Sequence, residues 1–192
     1  MIMKKQLSLA LIAMLTTLTL SAEVKQTLYP DGKVKFERTY KDGKLNGTAK
    51  AYYPSGKLKT KTNFRNGKVD GMTYGFYENG QLKAEIPMRD GKVHGKQKEY
   101  YENGALRSVE TFVDDHNVGV KKVTYPDGNL KAKLYFDDDG KLYGTLKEYY
   151  PNGNLKYKIN VENGRAIKGY IYELNGDREK MTPQQFADMG LL

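Results

Sequence analysis

The stretch YYENGALR, residues 100 to 107, has close copies at residues 76 to 83 (FYENGQLK) and 149 to 156 (YYPNGNLK). Each copy combines an aromatic pair, an Asn-Gly and a leucine followed by a basic residue. Asn-Gly between two apolar runs is a strong signal of a β-hairpin, because both residues tolerate a left-handed backbone in the turn. The repetition therefore predicts a chain assembled from hairpins of one design.

Glycines extend this pattern over most of the chain, with a period of about 24 residues that fits one hairpin. The first series marks one set of turns, at Gly32, Gly56, Gly80, Gly104, Gly128, Gly153 and Gly176. The second series marks another set, at Gly43, Gly67, Gly91, Asp115, Gly140 and Gly164. A third series follows at Gly47, Gly71, Gly95, Gly119, Gly144 and Gly169. About six repeats therefore fill nearly all of the chain after residue 22.

An Asn, Asp or Ser precedes the turn residue throughout the first two series. Such pairs favour two-residue type I′ turns, in which both central residues have φ > 0. Thirteen of these turns predict an all-β fold, an elongated single-layer antiparallel β-meander of about six 24-residue hairpin repeats. Asp115 stands where the other repeats have glycine, so we expect Asp115→Gly to stabilise the fold.

Counting outward from two-residue turns predicts which side chains share a face of the sheet. Tyr77 then lies opposite Leu82, and Tyr101 lies opposite Leu106. Because side chains alternate along a strand, one face is predicted to be largely apolar and the other basic and wet. The predicted apolar members are Leu58, Thr60, Thr62, Phe64, Leu82, Ala84, Ile86, Met88, Leu130, Ala132, Leu134, Phe136, Leu155, Tyr157, Ile159 and Val161.

A candidate binding surface lies on the predicted basic face, where aromatic rings stand among cations. Its members are Tyr52, Phe76, Tyr100, Tyr149, Lys59, Lys83 and Arg107. Rings between lysines can form a stacking platform for an anionic or sugar ligand. The alternative is that stacked rings and lysine stems only cover the sheet.

The third glycine series raises a question of register. A glycine inside a strand weakens pairing and commonly marks a bulge. The strands between turns alternate between 9 and 11 residues. Two-residue turns would therefore stagger each repeat by two residues, unless a bulge at the glycine absorbs the excess. The sequence leaves both possibilities open.

The C-terminal end of the chain carries helix signals. Thr182, Pro183 and Gln185 have the types typical of the N-cap, N1 and N3 positions. Phe186 and Met189 lie three residues apart and so share one side. We therefore expect residues 181–192 to form a short capping helix that packs by these two side chains onto the end of a repeat array at residues 23–180.

Composition limits the class of protein. The chain has 192 residues, 16 Tyr, 20 Gly, no Cys and a formal net charge of +9. The lack of cysteine excludes disulfides, thiolate metal sites and a cysteine nucleophile. The positive charge favours an anionic partner or surface, although lysines also keep strand edges from pairing.

Residues 1 to 22 are predicted to be a secretory signal peptide. Lys4 and Lys5 precede an apolar run from Leu7 to Leu20, and Ser21-Ala22 supplies a small-residue cleavage site. The apolar run has 14 residues, which is short for a spanning helix. We expect an exported protein of the periplasm or the extracellular space, without a transmembrane span after cleavage. Retention of the segment as an uncleaved anchor is the alternative.

Candidate catalytic groups are few. The two histidines, His94 and His116, occupy different positions in their repeats, which favours turn residues over catalytic bases or ligands. Asp137-Asp138-Asp139-Gly140 is an acidic turn, but consecutive carboxylates lack the alternating spacing of a calcium-binding loop. We predict a protein that is not an enzyme and has no cofactor or metal.

The full repeat unit is Tyr-Tyr-x-Asn-Gly-x-Leu-Lys, then an aromatic residue, then Asn/Asp-Gly-Lys-x-x-Gly. It resembles the MORN-repeat variant over residues 26 to 176. Bacterial proteins with this repeat are often grouped as the YwqK-type antitoxin family. The resemblance implies an elongated sheet of hairpins that serves as a binding or scaffolding surface, and by grouping it implies toxin neutralisation.

Two classes of function follow. The first is an exported protein-interaction or scaffold module that holds a protein partner, or a second copy of itself, through its sheet faces. Toxin neutralisation is a special case of this class. The second is a binder of an anionic membrane surface or polysaccharide through lysine and tyrosine side chains. No nucleic-acid partner is expected.

Overall fold

The computed structural model describes residues 22–192, which form one open antiparallel sheet and one short helix. The signal peptide predicted at residues 1 to 22 lies outside the described residues, apart from Ala22. The elements are β1 (Glu23–Leu28), β2 (Val34–Lys41), β3 (Lys44–Tyr52), β4 (Leu58–Arg65), β5 (Lys68–Phe76), β6 (Leu82–Arg89), β7 (Lys92–Val93), β8 (Gly95–Tyr100), β9 (Leu106–Val113), β10 (His116–Thr124), β11 (Leu130–Phe136), β12 (Gly144–Tyr149), β13 (Leu155–Glu162), β14 (Arg165–Tyr172), β15 (Arg178–Lys180) and α1 (Pro183–Asp188).

The strands follow one another across the sheet in chain order, so the fold is a meander. The two-residue strand β7 pairs with β6, and β8 continues the sheet beside the rest of β6. All of the strand pairs are antiparallel. The predicted all-β, single-layer meander of hairpins is confirmed.

At one edge of the sheet the hairpins close through three-residue loops instead of the predicted two-residue turns. In the loop between β5 and β6, the Tyr77 N–H donates to the Gln81 carbonyl (2.8 Å) and the Gly80 N–H donates to the Tyr77 carbonyl (2.9 Å). Gly80 has a φ of 94°, whereas Asn79 keeps a negative φ. This geometry is a type I turn followed by a glycine bulge. We call this edge the tyrosine edge; its loops end at Gly32, Gly56, Gly80, Gly104, Gly128, Gly153 and Gly176.

Two features of the sequence explain the three-residue loops. Proline fills the second position of the type I turn in four of them, as Pro30, Pro54, Pro126 and Pro151. The fixed φ of proline suits that position. The side chain at the third position of the turn accepts the backbone N–H of the residue two positions ahead. Asn79 Oδ1 accepts from Gln81 (2.8 Å), and Asn103 Oδ1 accepts from Ala105 (3.0 Å). The type I′ prediction is therefore wrong for this edge.

At the opposite edge the two-residue turns are confirmed at five of six positions. Asp42 (φ 53°) and Gly43 (φ 72°) both have positive φ, as a type I′ turn requires. The other four are Asn66-Gly67, Asp90-Gly91, Asp114-Asp115 and Asn163-Gly164. The exception is the loop that ends at Gly140, where the Gly140 N–H donates to the Asp137 carbonyl at 3.0 Å as in the loops of the tyrosine edge.

Asp115 occupies the glycine position of its turn with a φ of 75°. Its Oδ1 also accepts the Val93 backbone N–H at 2.7 Å, a bond that glycine cannot make. The prediction that Asp115→Gly stabilises the fold rests on backbone strain alone. The hydrogen bond from Val93 to Asp115 makes an opposing contribution of similar size to the free energy of unfolding.

The third glycine series lies at bulges except at Gly169, which settles the question of register. The pairs Arg38–Ala49 and Tyr40–Leu45 show that the register between β2 and β3 shifts by two residues. Gly47 lies inside this shift with a φ of 104°. Similar shifts occur between β4 and β5, beside Gly71, and between β9 and β10, beside Gly119. The bulges absorb the extra residues, so the repeats stay in phase.

The three-residue loops change which side chains share a face near the tyrosine edge. Phe76 lies opposite Leu82, and Lys83 is an extra residue before pairing resumes at Ala84. The predicted pairing of Tyr77 with Leu82 is therefore wrong. The same shift places four other leucines opposite the first residue of their aromatic pair or its counterpart, Leu58, Leu106, Leu130 and Leu155.

Away from these loops the alternation of the two faces follows the prediction, because opposed residues share a face and successive residues alternate. The apolar side, which we call the core face, carries Thr62, Phe64, Ile86, Met88, Leu134, Ile159 and Val161. The other side, which we call the lysine face, carries Lys50, Lys61, Lys98, Lys133, Lys147 and Lys158.

The fully buried part of the core face lies at its C-terminal end. The buried apolar residues are Leu146, Ile159, Val161, Met181, Phe186 and Leu191. Helix α1 begins after the N-cap Thr182 with the predicted capping box to Gln185 and the predicted proline at its start. Of the two predicted contacts, Phe186 is 7% exposed and packs into this core, whereas Met189 is 42% exposed.

Gly169 makes room for this packing. A Cβ atom at Gly169 would lie 2.7 Å from Met181 Sδ and 2.7 Å from Phe186 Cε1. The backbones also join there, because the Met181 N–H donates to the Gly169 carbonyl at 3.0 Å. The last glycine of the third series is therefore a docking position for the C-terminal segment, in contrast to the bulge glycines before it.

Candidate binding surfaces

The candidate binding residues predicted from the sequence divide between the two faces. The four rings Tyr52, Phe76, Tyr100 and Tyr149 lie on the lysine face, opposite Leu58, Leu82, Leu106 and Leu155. Burial raises the pKa of the Tyr100 phenol. Each of the four rings has an apolar cross-strand partner, and no cation of the predicted set lies opposite it.

The three predicted cations contact other groups. The Lys59 ammonium lies 5.5 Å from the centre of the Tyr53 ring, and the Lys83 ammonium lies 5.5 Å from the centre of the Tyr77 ring. Arg107 lies 3.4 Å from a carboxylate oxygen of Glu99. The bulge that follows each loop of the tyrosine edge turns these side chains away from the four rings. The structure therefore places the three predicted cations against groups other than the four predicted rings.

The second tyrosine of each aromatic pair ties one repeat to the next. The Tyr77 hydroxyl donates to the Tyr100 carbonyl at 2.7 Å, and the Tyr53 hydroxyl donates to the Phe76 carbonyl at 2.8 Å. The same bond recurs from Tyr29 to Tyr52, from Tyr101 to Thr124, from Tyr125 to Tyr149 and from Tyr150 to Tyr172. We call these six bonds the tyrosine ladder.

The sequence contains a signal for the tyrosine ladder. The second position of the pair is Tyr in all six cases, Tyr29, Tyr53, Tyr77, Tyr101, Tyr125 and Tyr150. The first position varies among Leu, Tyr, Phe and Thr. A site that needs only an apolar ring also accepts Phe, so constant Tyr indicates that the hydroxyl has a partner.

The opposite edge is joined in a similar way by backbone bonds. The Gly67 N–H donates to the Leu45 carbonyl at 2.7 Å, and the Gly91 N–H donates to the Val69 carbonyl at 2.8 Å. The Gly164 N–H does the same to Leu142 at 2.9 Å. Both edges are therefore linked from repeat to repeat, which restricts bending of the sheet between its repeats.

Within residues 22–192, no helix covers the core face of the first four repeats. A band of apolar side chains runs along it near the opposite edge, Phe64, Val69, Met88, Val93 and Phe112. Each of these is half-buried. Next to the band, Glu110 is 6% exposed, and its carboxylate lies 2.8 Å from the Lys121 ammonium. The core face therefore combines an apolar band with a buried ion pair.

A single row of side chains crosses the lysine face, one residue from each strand except β7; we call it the central row. Its N-terminal half is Gln26, Glu37, Lys50, Lys61, Tyr74, Glu85 and Lys98. The acids pair with their cross-strand neighbours, Glu37 with Lys50 at 2.8 Å and Glu85 with Lys98 at 3.1 Å. The hydrogen bond from Lys50 lowers the pKa of the Glu37 carboxyl, and the bond to Glu85 raises the pKa of the Lys98 ammonium.

The histidines and the acidic turn have local structural partners. His94 Nδ1 lies 3.1 Å from a carboxylate oxygen of Asp114, and His116 Nδ1 lies 3.1 Å from the Asp114 carbonyl. Asp137 Oδ1 accepts the backbone N–H of Lys141 at 2.8 Å. Within residues 22–192 no cluster of three or more histidine or acidic side chains could hold a metal ion.

The comparison with known proteins agrees with the repeats seen in the sheet. The sequence pattern of the family described as MORN repeat variant matches residues 24–42, 45–66, 69–90, 93–114 and 142–163. No curated protein matches the chain. In the part of the chain that the structure describes, no helix is long and apolar enough to cross a membrane.

Proposed function

Because the chain belongs to the MORN repeat variant family, we propose that it is a non-enzymatic scaffold that holds a protein partner on the core face of its first four repeats. The observation that carries this proposal is the contrast in how the core face is covered. Under α1, Ile159 is 2% exposed and Val161 is 1% exposed. The equivalent apolar band in the first four repeats is half-buried, and no helix among the described residues, 22–192, covers it.

The linked edges support the same function. The tyrosine ladder and the backbone bonds of the opposite edge hold successive hairpins in one arrangement. A surface that is ordered before binding loses little entropy when a partner binds. Contiguous apolar area on such a surface is typical of a protein-interaction site.

The export predicted from residues 1 to 22 would place this partner in the periplasm or outside the cell. A toxin, as implied by the YwqK-type grouping, is one class of such a partner. A second copy of the chain is another.

A matched pair of methionines tests which face binds. Met88 lies on the core face, and Met72 lies on the lysine face one position along the same strand pair. We expect Met88→Lys to abolish capture of partners from the envelope fraction of the native cell and Met72→Lys to leave it intact. Light scattering on the purified protein shows whether the partner is a second copy. Capture that survives Met88→Lys, or that fails with both variants while both remain folded, contradicts the proposal.

A further inference from the structure

The C-terminal half of the central row differs in charge from the N-terminal half. From β9 to β15 its members are Val109, Lys122, Lys133, Lys147, Lys158, Tyr170 and Lys180. Four lysines therefore stand on four successive strands, each directly opposite the next. At a strand spacing of about 4.8 Å, the cationic part from β10 to β15 extends about 24 Å.

These lysines have no acidic partner. None of the ion pairs within residues 22–192 involves Lys122, Lys133, Lys147, Lys158 or Lys180. In the N-terminal half, by contrast, Glu37 and Glu85 neutralise neighbouring lysines. Like charges directly opposite each other destabilise a sheet. The row therefore lowers the stability of the free protein, and an anion along it would relieve the repulsion.

The row ends in a polar pocket near β15. Its lining is Lys158, Asn160, Lys168, Tyr170 and Arg178. The Lys168 ammonium lies 5.2 Å from the centre of the Tyr170 ring, and the Arg178 guanidinium carbon lies 4.7 Å from it. The hydrogen bond from Lys168 and the nearby charge of Arg178 and Lys180 lower the pKa of the Tyr170 phenol. The pocket thus has three cations, no carboxylate and a positive potential.

From β10 to β13 the charges form a strip instead of a broad patch, and Lys168 and Arg178 widen it at β14 and β15. On one side the row is bordered by Thr124, Leu130, Tyr149 and Leu155. On the other side it is bordered by Val120, Tyr135, Thr145 and Asn160. A membrane surface would contact charges spread over an area, whereas a polymer chain needs them along a line. The shape therefore favours a linear ligand.

We propose that the lysine face from β10 to β15 binds an extended linear polyanion, with its charged groups lying along Lys122, Lys133, Lys147 and Lys158 and one end in the Tyr170 pocket. This site uses the face opposite to the proposed protein-binding surface. The two proposals can therefore fail independently. Lysine ammonium groups act as point charges, so phosphate and carboxylate polymers share the chemistry that the strip recognises.

The test measures binding of the full chain to fluorescently labelled inorganic polyphosphate and, in a second arm, to a labelled polyuronate. The test variant carries Lys133→Gln, Lys147→Gln and Lys158→Gln. The matched control carries Lys59→Gln, Lys83→Gln and Lys131→Gln, which removes the same charge from lysines that lie outside the central row, at the bulges beside the tyrosine edge. We expect the test variant to lose at least tenfold in affinity for the polymer that binds, and the control to lose less than threefold.

The salt dependence gives a second measurement. Removing three contacted charges is expected to reduce the slope of log affinity against log salt by roughly two to three. The test variant is also expected to melt at a higher temperature than the unchanged chain in low salt, because repulsion is removed. This result shows that it is folded. Equal losses in both variants, or failure of both polymers to bind, overturn the proposal. Binding to anionic lipid vesicles without binding to either polymer also overturns it, in favour of a membrane surface.

Discussion

The first four repeats, residues 24 to 114, and the repeats after residue 142 share the same arrangement of hairpins, loops and linking hydrogen bonds, which we call the frame. They differ in what covers the core face and in the charge of the lysine face. Both halves have the three-residue loops of the tyrosine edge, the tyrosine ladder and two-residue turns at the opposite edge. In the C-terminal half α1 covers the core face, and the lysines of the central row form no ion pair with any residue of the described part, 22–192. Hairpin repetition therefore builds the frame, and the side chains outside the repeated positions distinguish the two halves.

The largest effect is expected where α1 meets the sheet. Phe186 is 7% exposed and lies in the C-terminal core, so Phe186→Ala should destabilise that region by about 3 kcal/mol or more. Each repeat contacts mainly its neighbours, and the loss should therefore stay local. Hydrogen exchange is expected to show faster exchange in β13 and β14, with β3 to β6 unchanged.

Met189→Ala is the control for this prediction. Met189 belongs to the same C-terminal segment but is 42% exposed, so its truncation should cost less than about 1 kcal/mol. If Phe186→Ala accelerates exchange equally in both halves, the sheet unfolds as one cooperative unit. The half covered by α1 and the uncovered half would then not differ in local stability.

The tyrosine ladder should make equal contributions in both halves, because its geometry is the same in both. Tyr77→Phe and Tyr150→Phe each remove one hydroxyl, which donates at 2.7 Å in the first case and 3.0 Å in the second. Each is expected to lower the free energy of unfolding by about 1 kcal/mol. Chemical denaturation measures both. Tyr74→Phe is the control, because Tyr74 lies on the lysine face in the central row and outside the ladder. A large difference between the two ladder variants would show that the frame is not uniform.

Much of the frame could be predicted from the sequence, because turns depend on local chemistry. All thirteen turn positions follow from a glycine or aspartate after an Asn, Asp or Ser. The sequence also predicts the loop type at the tyrosine edge, since Pro30 and its counterparts fit the second position of a type I turn. The type I′ prediction fails at this edge because it places Asn-Gly at the centre of the turn in both series.

The candidate sites depended on information that is not local. One extra residue at Lys83 moves Leu82 to the lysine face, and the period-2 pattern gives no sign of it. The alignment of Lys122, Lys133 and Lys147 on neighbouring strands likewise follows only when every bulge between them is known. The constant Tyr of the aromatic pair indicates a bonded hydroxyl, but its acceptor lies 22 to 24 residues further along the chain.

Tyrosine titration sharpens the comparison of charge between the two halves. The pKa of Tyr170 is lowered because Lys168, Arg178 and Lys180 stabilise the phenolate. The pKa of Tyr100, in the N-terminal half, is raised because burial disfavours the phenolate. On raising the pH, Tyr170 should therefore ionise before Tyr100, as followed by NMR of ring-labelled tyrosine. Lys168→Gln should move the Tyr170 titration to higher pH and leave Tyr100 unchanged. Ionisation of Tyr100 first would show that Lys168 and its neighbouring cations do not stabilise the Tyr170 phenolate.

The smallest effect is expected at the turn that departs from the glycine pattern. Asp115→Gly relieves a positive φ of 75°, worth about 1 kcal/mol for a non-glycine residue, but removes the bond from the Val93 N–H to Asp115 Oδ1, worth a similar amount. The two contributions oppose each other, so the net change in the free energy of unfolding should be within about 0.5 kcal/mol. Gly91→Asp tests the same balance in reverse, since its carboxylate can accept the Val69 N–H in the same geometry. A gain above 1 kcal/mol for Asp115→Gly, with an equal loss for Gly91→Asp, would mean that backbone strain dominates and that the aspartate bond contributes little.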